Sequence, residues 1–344
     1  MVTSAVRRFR RVDMHAHTRF SAERIKYGPL ACTVLPPTDP VQLADAAFDA
    51  GMDFVTITDH DTIDGGLFLL DRRPELADRF VMGVEVTTWA PESKAEIHLG
   101  VYGLDEQQHR AIQALRKDLL ATIAYLRGEG LLYVLNHPIW DAQCRAWTTA
   151  RLVETIRLIR DHFPVVEGTN GSMLPRQNRL ATRFARHFDR IAIGGSDSHT
   201  GQIGYTFTEA PGETPAEFLA AIGRGDARVG GRGASTGYME REAGTILRSF
   251  RVFAPRSEKP IARLAGRTLE ALAECLHHRM TRLVTQRYIA AQRSTVPETV
   301  RELAMHLAHT ARPESTRAAT TTGEVARRGG YEAARRTSGM LATA

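Results

Sequence analysis

The sequence predicts an α/β fold built around a parallel sheet, and three observations favour this class. The composition of the 344-residue chain, with 43% hydrophobic and 24% charged residues, is that of an ordinary globular protein. Over residues 1–237, short apolar runs alternate with amphipathic helical stretches, a rhythm typical of βαβ units. The length suffices for one large domain with an appendage, and no internal repeat divides the chain.

The apolar runs of this region are predicted to be strands. Each is short and rich in aliphatic side chains, and turn or helix signals follow many of them. In chain order they are RRVDMHAH, DFVTITDH, RFVMGVEVT, EIHLGVYGL, LLYVLNHP, PVVEGTN and RIAIGGSDSH.

Helices are predicted between many of these runs. Asp39, followed by Pro40, indicates an N-cap with proline at the first helical position, and Gly51 ends that helix. The stretches EQQHRAIQALRKDLLATIAYLRGEG and PRQNRLATRFARHF have apolar residues at helical spacing. Thr214 with Glu217 indicates a capping box at the start of a further helix.

The alternation stops after about residue 237, where the composition changes. Residues 238–310 are predicted to form a basic, mainly helical extension, and residues 311–344 a disordered tail poor in large apolar side chains. Residues 241–344 contain 18 basic and 9 acidic side chains, whereas the whole chain has a net charge of +6. We expect a solvated, arginine-rich region, with contact to nucleic acid as an open alternative.

Cysteine usage and hydropathy favour a reducing, cytoplasmic location. The three cysteines, Cys32, Cys144 and Cys275, lie far apart without a CxxC pair, which argues against a disulfide framework or a thiolate zinc site. The sequence shows neither a signal peptide nor an apolar run of membrane-spanning length, so no membrane partner is expected. It does not predict an oligomeric state.

The short stretch VDMHAHT near the N-terminus carries the first chemical signal. Asp13, His15 and His17 alternate with apolar residues, so an extended strand would place the three polar side chains on one face. The apolar face would pack in the core, which leaves the polar face for a pocket or an ion. Two histidines placed in this way can bind one metal ion through their ring nitrogens.

The other predicted strands place similar side chains at or near their ends. Taken singly, a histidine is more often a hydrogen-bonded core or surface residue than a ligand. Glu85 differs, since a carboxylate between two valines must be paired or coordinated. In a parallel barrel the carboxyl ends of the strands converge on one face. The convergence predicts a metal centre made of these residues and the HxH pair: His60, Glu85, His98, His137, Asp197 and His199.

Six motifs together resemble the PHP (polymerase and histidinol phosphatase) family over roughly residues 10–235. In the family's order they are DMHAHTRFS, TITDHDT, GVEVT, IHLGVYG, NHP and GGSDSHT. The resemblance implies a distorted (βα)7 TIM-like barrel. It also implies two or three divalent ions, manganese, iron or zinc, and hydrolysis of phosphate esters.

The resemblance also implies a role for each ligand. It assigns His15, His17 and Asp197 to one ion, His98 and His137 to a second that Glu85 bridges to the first, and His60 and His199 to a third. The family's carboxylate for the third ion is missing here, because Ala22 follows Ser21 and Glu23 lies one position further on. The site is therefore dinuclear, or it binds the third ion weakly.

Three residues are predicted to be catalytic and three to contact substrate. Glu85 holds the ions, and His60 or His199 protonates the leaving oxygen or holds a phosphate oxygen. Residues that follow strand ends are predicted to contact phosphate: Arg19, Asn170 and Arg176. Glu167 also follows a strand and is predicted to position other residues.

The predicted function is that of a metal-dependent phosphoesterase. It would hydrolyse a phosphate ester of a small metabolite or nucleotide through a metal-activated water. One alternative is a nucleic-acid exonuclease or phosphodiesterase, which the basic C-terminal region favours. The other is a catalytically weak metal-binding scaffold, for which Ala22 is the indication.

Overall fold

The computed structural model describes residues 8–245, except 22, 28, 29, 35, 140–148, 174, 234, 236, 239, 240, 243 and 244. The predicted disordered tail, and all of the predicted helical extension beyond residue 245, lie outside the described residues.

Eleven strands and seven α-helices make up the described part of the chain. The strands are β1 Phe9–Val12, β2 Glu23–Tyr27, β3 Leu30–Val34, β4 Val55–Ile57, β5 Phe80–Trp89, β6 Glu96–Tyr102, β7 Leu132–Leu135, β8 Val165–Asn170, β9 Ile191–Gly195, β10 Thr206–Pro211 and β11 Arg228–Gly231. The helices are α1 Pro40–Asp49, α2 Asp64–Arg72, α3 Glu106–Leu115, α4 Leu119–Gly128, α5 Thr149–His162, α6 Pro175–His187 and α7 Pro215–Gly223, with a 3-10 helix at Pro74–Arg79.

The α/β class predicted from the sequence is confirmed. Each of the seven predicted strand runs contains an observed strand, namely β1 and β4 to β9. The sequence did not predict the β2–β3 hairpin or strands β10 and β11. Strand β10 pairs with β1 on one side and β11 on the other, which makes a separate three-stranded sheet.

The main sheet has six strands in the order β4-β5-β6-β7-β8-β9. Strand β6 runs antiparallel to both of its neighbours, whereas the other pairs are parallel. The expectation of an all-parallel sheet is therefore wrong at β6. The physical reason is the short connection 90–95 between β5 and β6, because a parallel pair needs a crossover of a dozen residues or more.

Residues 13–17, which follow β1, link the two edge strands of the main sheet. On one side the amide of Thr58 donates to the carbonyl of Ala16 at 2.9 Å. On the other side the amide of Asp197 donates to the carbonyl of His15 at 2.7 Å, and that of His17 to the carbonyl of Ser198 at 2.9 Å. The HxH segment is thus hydrogen-bonded on one side to the residue that follows β4 and on the other side to residues that follow β9.

Large apolar side chains pack against the main sheet in two clusters. One includes Met14, Phe54 and Phe218, and the other Leu43 and Leu69, all of them buried. Burying such a side chain contributes about 1.5–3 kcal/mol. The apolar residues of the HxH segment belong to these clusters, as the alternation predicted, so the opposite face is left for polar chemistry.

Helix α1 begins and ends where the sequence predicted. The side chain of Asp39 accepts the amide of Val41 at 2.9 Å, and Gly51 follows the helix with a φ of +80°. The stretch from Glu106 to Gly128, predicted as one helix, is two helices. The break occurs because the Asp118 carboxylate caps the start of α4.

The capping box predicted for helix α7 is present in one direction. The hydroxyl of Thr214 accepts the amide of Glu217 at 3.2 Å. The carboxylate of Glu217 accepts the amide of Glu213 at 2.8 Å instead of the Thr214 amide. In the described ranges, no helix has both the length and the apolar character that crossing a bilayer requires.

Candidate metal centre

The HxH segment brings its two histidines into the interior between the two sheet edges. His15 and His17 are almost fully buried, and their Nε2 atoms lie 3.1 Å apart. Asp13 has a different role, because its side chain binds backbone amides. Its carboxylate accepts the amides of Ser196 at 2.7 Å and Gly204 at 2.9 Å, which ties down the loop after β9. Burial raises the pKa of Asp13 to about 6.

Strands β5, β6 and β7 supply the next residues. Glu85 lies in the middle of β5, and His137 follows β7 after one residue. His98 is the third residue of β6. Because β6 runs antiparallel to β5 and β7, its first residues lie at the same end of the sheet as the last residues of those two strands, and His98 reaches the site from there. His98 therefore lies at the same end of the sheet as the other histidines, but near the start of its strand and not at the carboxyl end that the sequence analysis assumed.

Glu85 lies at the centre of the cluster, with its carboxylate fully buried. Its Oε2 atom lies 3.2 Å from Nε2 of His15, from Nε2 of His17 and from Nδ1 of His60. Its Oε1 atom lies 3.3 Å from Nδ1 of His98 and 3.2 Å from Nε2 of His137. Five imidazoles therefore surround one carboxylate.

Asp197 provides the second carboxylate. Its Oδ1 atom lies 3.5 Å from Nε2 of His15, 3.3 Å from Nε2 of His17 and 3.7 Å from Nδ1 of His199. Asp197 has a φ of +52° and His137 a φ of +26°, conformations that non-glycine residues rarely adopt. Such strain persists only where the surroundings fix it, and it concentrates at functional sites.

The electrostatics of the cluster favour positive charge. Burial opposes ionisation of Glu85, but the imidazoles of His15, His98 and His60 outweigh it and hold the pKa of Glu85 well below its ordinary value. Burial would lower the pKa of His98, yet the Glu85 carboxylate raises it to about 10. The negative potential of Glu85 that raises the pKa of His98 and His15 would favour a divalent cation beside it, whereas burial and the neighbouring His199 lower the pKa of His17.

The outer nitrogens of three histidines have fixed hydrogen-bond partners. Nδ1 of His15 lies 3.0 Å from Glu167, Nε2 of His98 lies 3.0 Å from Glu96, and Nδ1 of His17 lies 3.0 Å from the hydroxyl of Ser21. With a cation on the inner side, the rings of His15 and His98 would be neutral and would keep their one proton on the outer nitrogen, where a carboxylate accepts it. The inner nitrogen then presents a lone pair to the cluster, as a metal-ligating imidazole does.

Four groups of side chains in the described residues have ligand atoms within 4.8 Å of one another. They are His15–His17–Glu85, His15–His137–Asp197, His60–Glu85–His98 and His17–His60–His199. Glu85 is shared by two of them, as a bridging carboxylate would be. His137 groups here with His15 and Asp197, whereas the family resemblance paired it with His98. The assignment of each ligand to an ion stays a prediction.

The residues present fit divalent metal ions. The Oε2 atom of Glu85 is buried without a hydrogen-bond donor in the described structure, although three imidazole nitrogens lie 3.2 Å away. An unsatisfied buried carboxylate oxygen is costly, and a cation between it and the ring nitrogens would satisfy both. Three of the four groups combine imidazole with carboxylate, a donor set that suits manganese, iron or zinc better than calcium.

The three predicted substrate contacts have different surroundings. Arg19 is half-exposed, forms an ion pair with Asp39 and lies 4.8 Å from the ring of Phe68. The side chain of Arg176 lies outside the described residues. Each of these two contacts stays a prediction.

Asn170 is buried beside the carboxylates. Its amide nitrogen donates to Glu167 at 2.9 Å and to Asp197 at 3.1 Å, and its oxygen accepts the amide of Ser172 at 2.8 Å. This geometry favours a positioning role over the predicted phosphate contact. Glu167, predicted to position other residues, also accepts the amide of His137 at 2.7 Å.

Several residues of the site were missed by the sequence reasoning. The Asn136 amide donates to Glu85 at 2.9 Å, and the Ser21 hydroxyl accepts the amide of His60 at 3.0 Å. Glu96 could have been found, since a residue two positions before His98 on a strand shares its face. Glu242, which contacts the loop after β9, has no local signal in the sequence.

These features define a buried imidazole–carboxylate centre in an α/β protein. A family model described as PHP-associated matches residues 175–227, from α6 to α7. This match confirms the resemblance to the PHP family that the motifs indicated. The chain matches no curated protein sequence.

Solved structures of several proteins are similar to this chain. One is a two-domain protein from Bacteroides vulgatus containing a predicted PHP-like metal-dependent phosphoesterase, with 18% identity, 65% of each chain covered and a TM-score of 0.49. Another is PsfC from Pseudomonas syringae, with 17% identity, 65% of this chain and 91% of that chain covered and a TM-score of 0.43. A third is the lesion-specific endonuclease PfuEndoQ from Pyrococcus furiosus, with 14% identity, coverage of 64% and 58% and a TM-score of 0.43. The chain thus spans about two thirds of the length of the first of them.

Proposed function

We propose that this chain is a metal-dependent phosphoesterase whose centre holds two or three manganese, iron or zinc ions. The observation that carries the proposal is the buried Glu85 carboxylate with five imidazole nitrogens within 3.3 Å of it. When bound, such ions activate a water for attack and neutralise charge on a phosphate. The scaffold alternative predicts the same cluster without turnover.

The chain's own residues hold the centre in place. Asn136 orients Glu85, Glu167 orients His15, and Asn170 bridges the Glu167 and Asp197 carboxylates. All of these bonds are buried, so the ligand atoms keep their geometry before substrate arrives. Such preorganisation is what positions reacting groups within a fraction of an ångström.

The open side of the cluster is formed by His60 and His199. Their side chains are 10% and 18% exposed, whereas those of His15 and His17 are at most 1% exposed. A substrate phosphate therefore meets His60 and His199 first. We infer that one of them protonates the leaving oxygen or holds a phosphate oxygen.

The proposal is tested with the purified full chain, loaded with Mn²⁺ and assayed on p-nitrophenyl phosphate and bis(p-nitrophenyl) phosphate. The two esters separate monoesterase from diesterase activity. His15→Ala is expected to abolish turnover of whichever ester the wild type hydrolyses, since it removes a ligand shared by two groups. Glu154→Ala serves as the control, because it removes a buried carboxylate whose hydrogen bonds within the described residues go to the amides of Glu92 and Ser93 and to none of the candidate ligands.

Two results would contradict the proposal. One is turnover of the His15→Ala variant at the wild-type rate. The other is a wild type that binds Mn²⁺ and hydrolyses neither ester nor any of a panel of nucleotides and sugar phosphates, which would favour the scaffold.

A stripe of arginines on helix α6 favours nucleic acid as a second candidate substrate. Arg179, Arg183 and Arg186 are exposed and lie three or four residues apart, so they share one face of the helix. Within the described residues, none of these three side chains has an acidic, carbonyl or aromatic partner. The stripe begins next to Asn178, whose side chain accepts the amide of Asn170 at 3.0 Å. A polyanion leaving the metal centre would therefore meet the stripe.

Salt-dependent binding of a labelled single-stranded oligonucleotide tests this candidate. Replacing the three arginines with glutamine is expected to lower the magnitude of the slope of log K against log salt by about two if each contacts one phosphate of the single strand. The control replaces Arg110 and Arg224, which are equally exposed but paired with Glu106 and Asp226. An unchanged slope in the triple variant would rule out the stripe as a nucleic-acid contact.

A further inference from the structure

The segment after the last strand carries a buried carboxylate that faces the metal-centre loop. Glu242 is helical, as are Tyr238 and Arg241, and its side chain is buried. It lies beyond residue 237, where the sequence predicted the catalytic domain to end. None of the candidate metal groups in the described residues includes it.

The Glu242 carboxylate contacts four of the five residues 198–202. Oε1 accepts the hydroxyl of Ser198 at 3.1 Å, the side-chain amide of Gln202 at 2.7 Å and the hydroxyl of Thr200. Oε2 lies 3.4 Å from the amide of His199, which donates to it. A single buried carboxylate thus accepts hydrogen bonds from four residues of the loop, and such bonds are strongest when the carboxylate is ionised.

The same loop holds two predicted ligands in an unusual conformation. Asp197 precedes it with a positive φ, and His199 lies within it, its ring stacked on that of His17 at a centroid distance of 4.2 Å. On its inner side the loop is fixed by the hydrogen bond from the His17 amide to Ser198. On its outer side Glu242 supplies the contacts.

A second contact anchors the segment that carries Glu242. The ring of Tyr238, one turn earlier, is buried and stacks on Tyr205 at a centroid distance of 4.7 Å. Tyr205 lies a few residues after the loop, before β10. Tyr238 and Glu242 therefore both contact the connection between β9 and β10.

We propose that Glu242 is a positioning residue of the metal centre, which holds the Ser198–Gln202 loop so that Asp197 and His199 keep their ligand geometry. The proposal rests on the proposed function. It means that the centre is completed by a residue outside the strand-and-helix domain predicted from the sequence. Outer residues that orient metal ligands commonly change metal affinity or activity about 10–100-fold when they are replaced.

The test compares Glu242→Gln and Glu242→Ala with Glu154→Ala in the full chain. Glu154 is a matched control, because it is also a buried glutamate and holds a loop that carries no predicted ligand. Each protein is measured for kcat and KM on the ester that the wild type hydrolyses, for Mn²⁺ affinity by calorimetry and for its unfolding midpoint in urea. Thr200→Val removes one donor to Glu242 and provides a milder variant should either Glu242 variant fold poorly.

The proposal predicts that both Glu242 variants lose about 10–100-fold in kcat and bind Mn²⁺ more weakly, with KM within about threefold of wild type. Thr200→Val is expected to lose less, and its effect should not add to that of Glu242→Ala. Glu154→Ala should change the unfolding midpoint but neither kcat nor Mn²⁺ affinity.

Wild-type kcat and Mn²⁺ affinity in the Glu242 variants would overturn the proposal while leaving the proposed function intact. If the wild type binds Mn²⁺ without turnover, an unchanged Mn²⁺ affinity in the variants overturns it. A wild type without any Mn²⁺ binding would refute the proposed function itself, and the role of Glu242 with it.

Discussion

At the scale of single residues, the site depends on the negative charge of Glu85, which five imidazoles surround. Glu85→Gln keeps the size of the side chain but replaces one carboxylate oxygen with an amide nitrogen, which cannot bind a cation. We predict at least a 100-fold loss of kcat, on the order expected for a lost ligand, together with loss of bound Mn²⁺. Steady-state kinetics and metal analysis of the variant check this. Retention of full metal content would contradict the bridging role.

Glu167 acts through the ring of His15. Its bond to Nδ1 fixes the orientation of that ring and leaves Nε2 for an ion. Glu167→Gln is predicted to weaken Mn²⁺ binding by about 10–100-fold. The amide oxygen accepts a hydrogen bond from Nδ1 more weakly than the carboxylate does, and the amide nitrogen cannot accept it at all. Calorimetric titration measures the change. An affinity within about twofold of wild type would show that the orientation of His15 is set elsewhere.

Much of the site can be predicted at this scale from residue type and position. His15 and His17 can be recognised because they alternate with apolar residues, and Glu85 because it lies between two valines. Asn136, Ser21 and Glu242 could not be predicted, because polar side chains of these types are common and each has a partner tens of residues away along the chain. Only the folded chain shows which of them face the histidines.

At the scale of elements, the close approach of β9 to the HxH segment constrains one glycine. A Cβ atom on Gly195 would lie 2.4 Å from Cβ of His15 and 2.5 Å from its backbone nitrogen. Gly195→Ala is therefore predicted to destabilise the fold by about 1–3 kcal/mol or more and to displace His15. Urea unfolding and Mn²⁺ affinity measure the two effects.

Gly128 provides the matched control for this substitution. It is the last residue of α4, and nothing lies within 4 Å of the position of an added Cβ. Gly128→Ala should be neutral or stabilise by about 0.5–1 kcal/mol. Equal effects of the two alanines would mean that β9 does not pack closely on the HxH segment.

The three-stranded sheet contains a cross-strand charge ladder on β1, β10 and β11. Glu209 lies directly opposite Arg11 and Arg228, which donate to it at 2.8 Å and 2.6 Å. Partial burial raises the pKa of Glu209, but the two arginines lower it by more, so the net shift is downward. The carboxylate thus stabilises the fold above its ordinary pKa of 4.5, and this contribution is lost as the pH falls through the lowered value.

Glu209→Gln is accordingly predicted to cost about 1 kcal/mol near neutral pH, since both arginines are largely exposed. The difference from wild type should vanish in acid, where the wild-type carboxylate is also protonated. Unfolding midpoints across this range check the sign. A difference that persists in acid would mean that the arginines do not act through the charge of Glu209.

The elements themselves were predicted unevenly. The seven strand runs were recognisable because buried strands have dense aliphatic runs. The antiparallel direction of β6 could not be predicted from its own residues, since only the short connection 90–95 excludes a crossover. Strands β10 and β11 lack such runs, and the pairing of β10 with β1 depends on contacts about 200 residues apart along the chain.

At the scale of the whole molecule, metal binding and folding are predicted to be coupled. Buried carboxylates and lone pairs at one centre destabilise the metal-free protein, and ions that bind only the folded state stabilise it. Mn²⁺ at about 100 times its dissociation constant would add about 2.7 kcal/mol, which raises Tm by about 5–10 °C in a domain of this size. Thermal scans with Mn²⁺ and with EDTA test this, with Glu85→Gln as the variant that should not respond.

The most direct test of the central claim is anomalous diffraction from crystals of the full chain grown with Mn²⁺. The account predicts at least two ions per chain, with Glu85 between them and imidazole nitrogens of His15 and its neighbours at about 2.0–2.3 Å. Crystals whose centre stays empty at saturating Mn²⁺, or ions bound remote from Glu85, would contradict it.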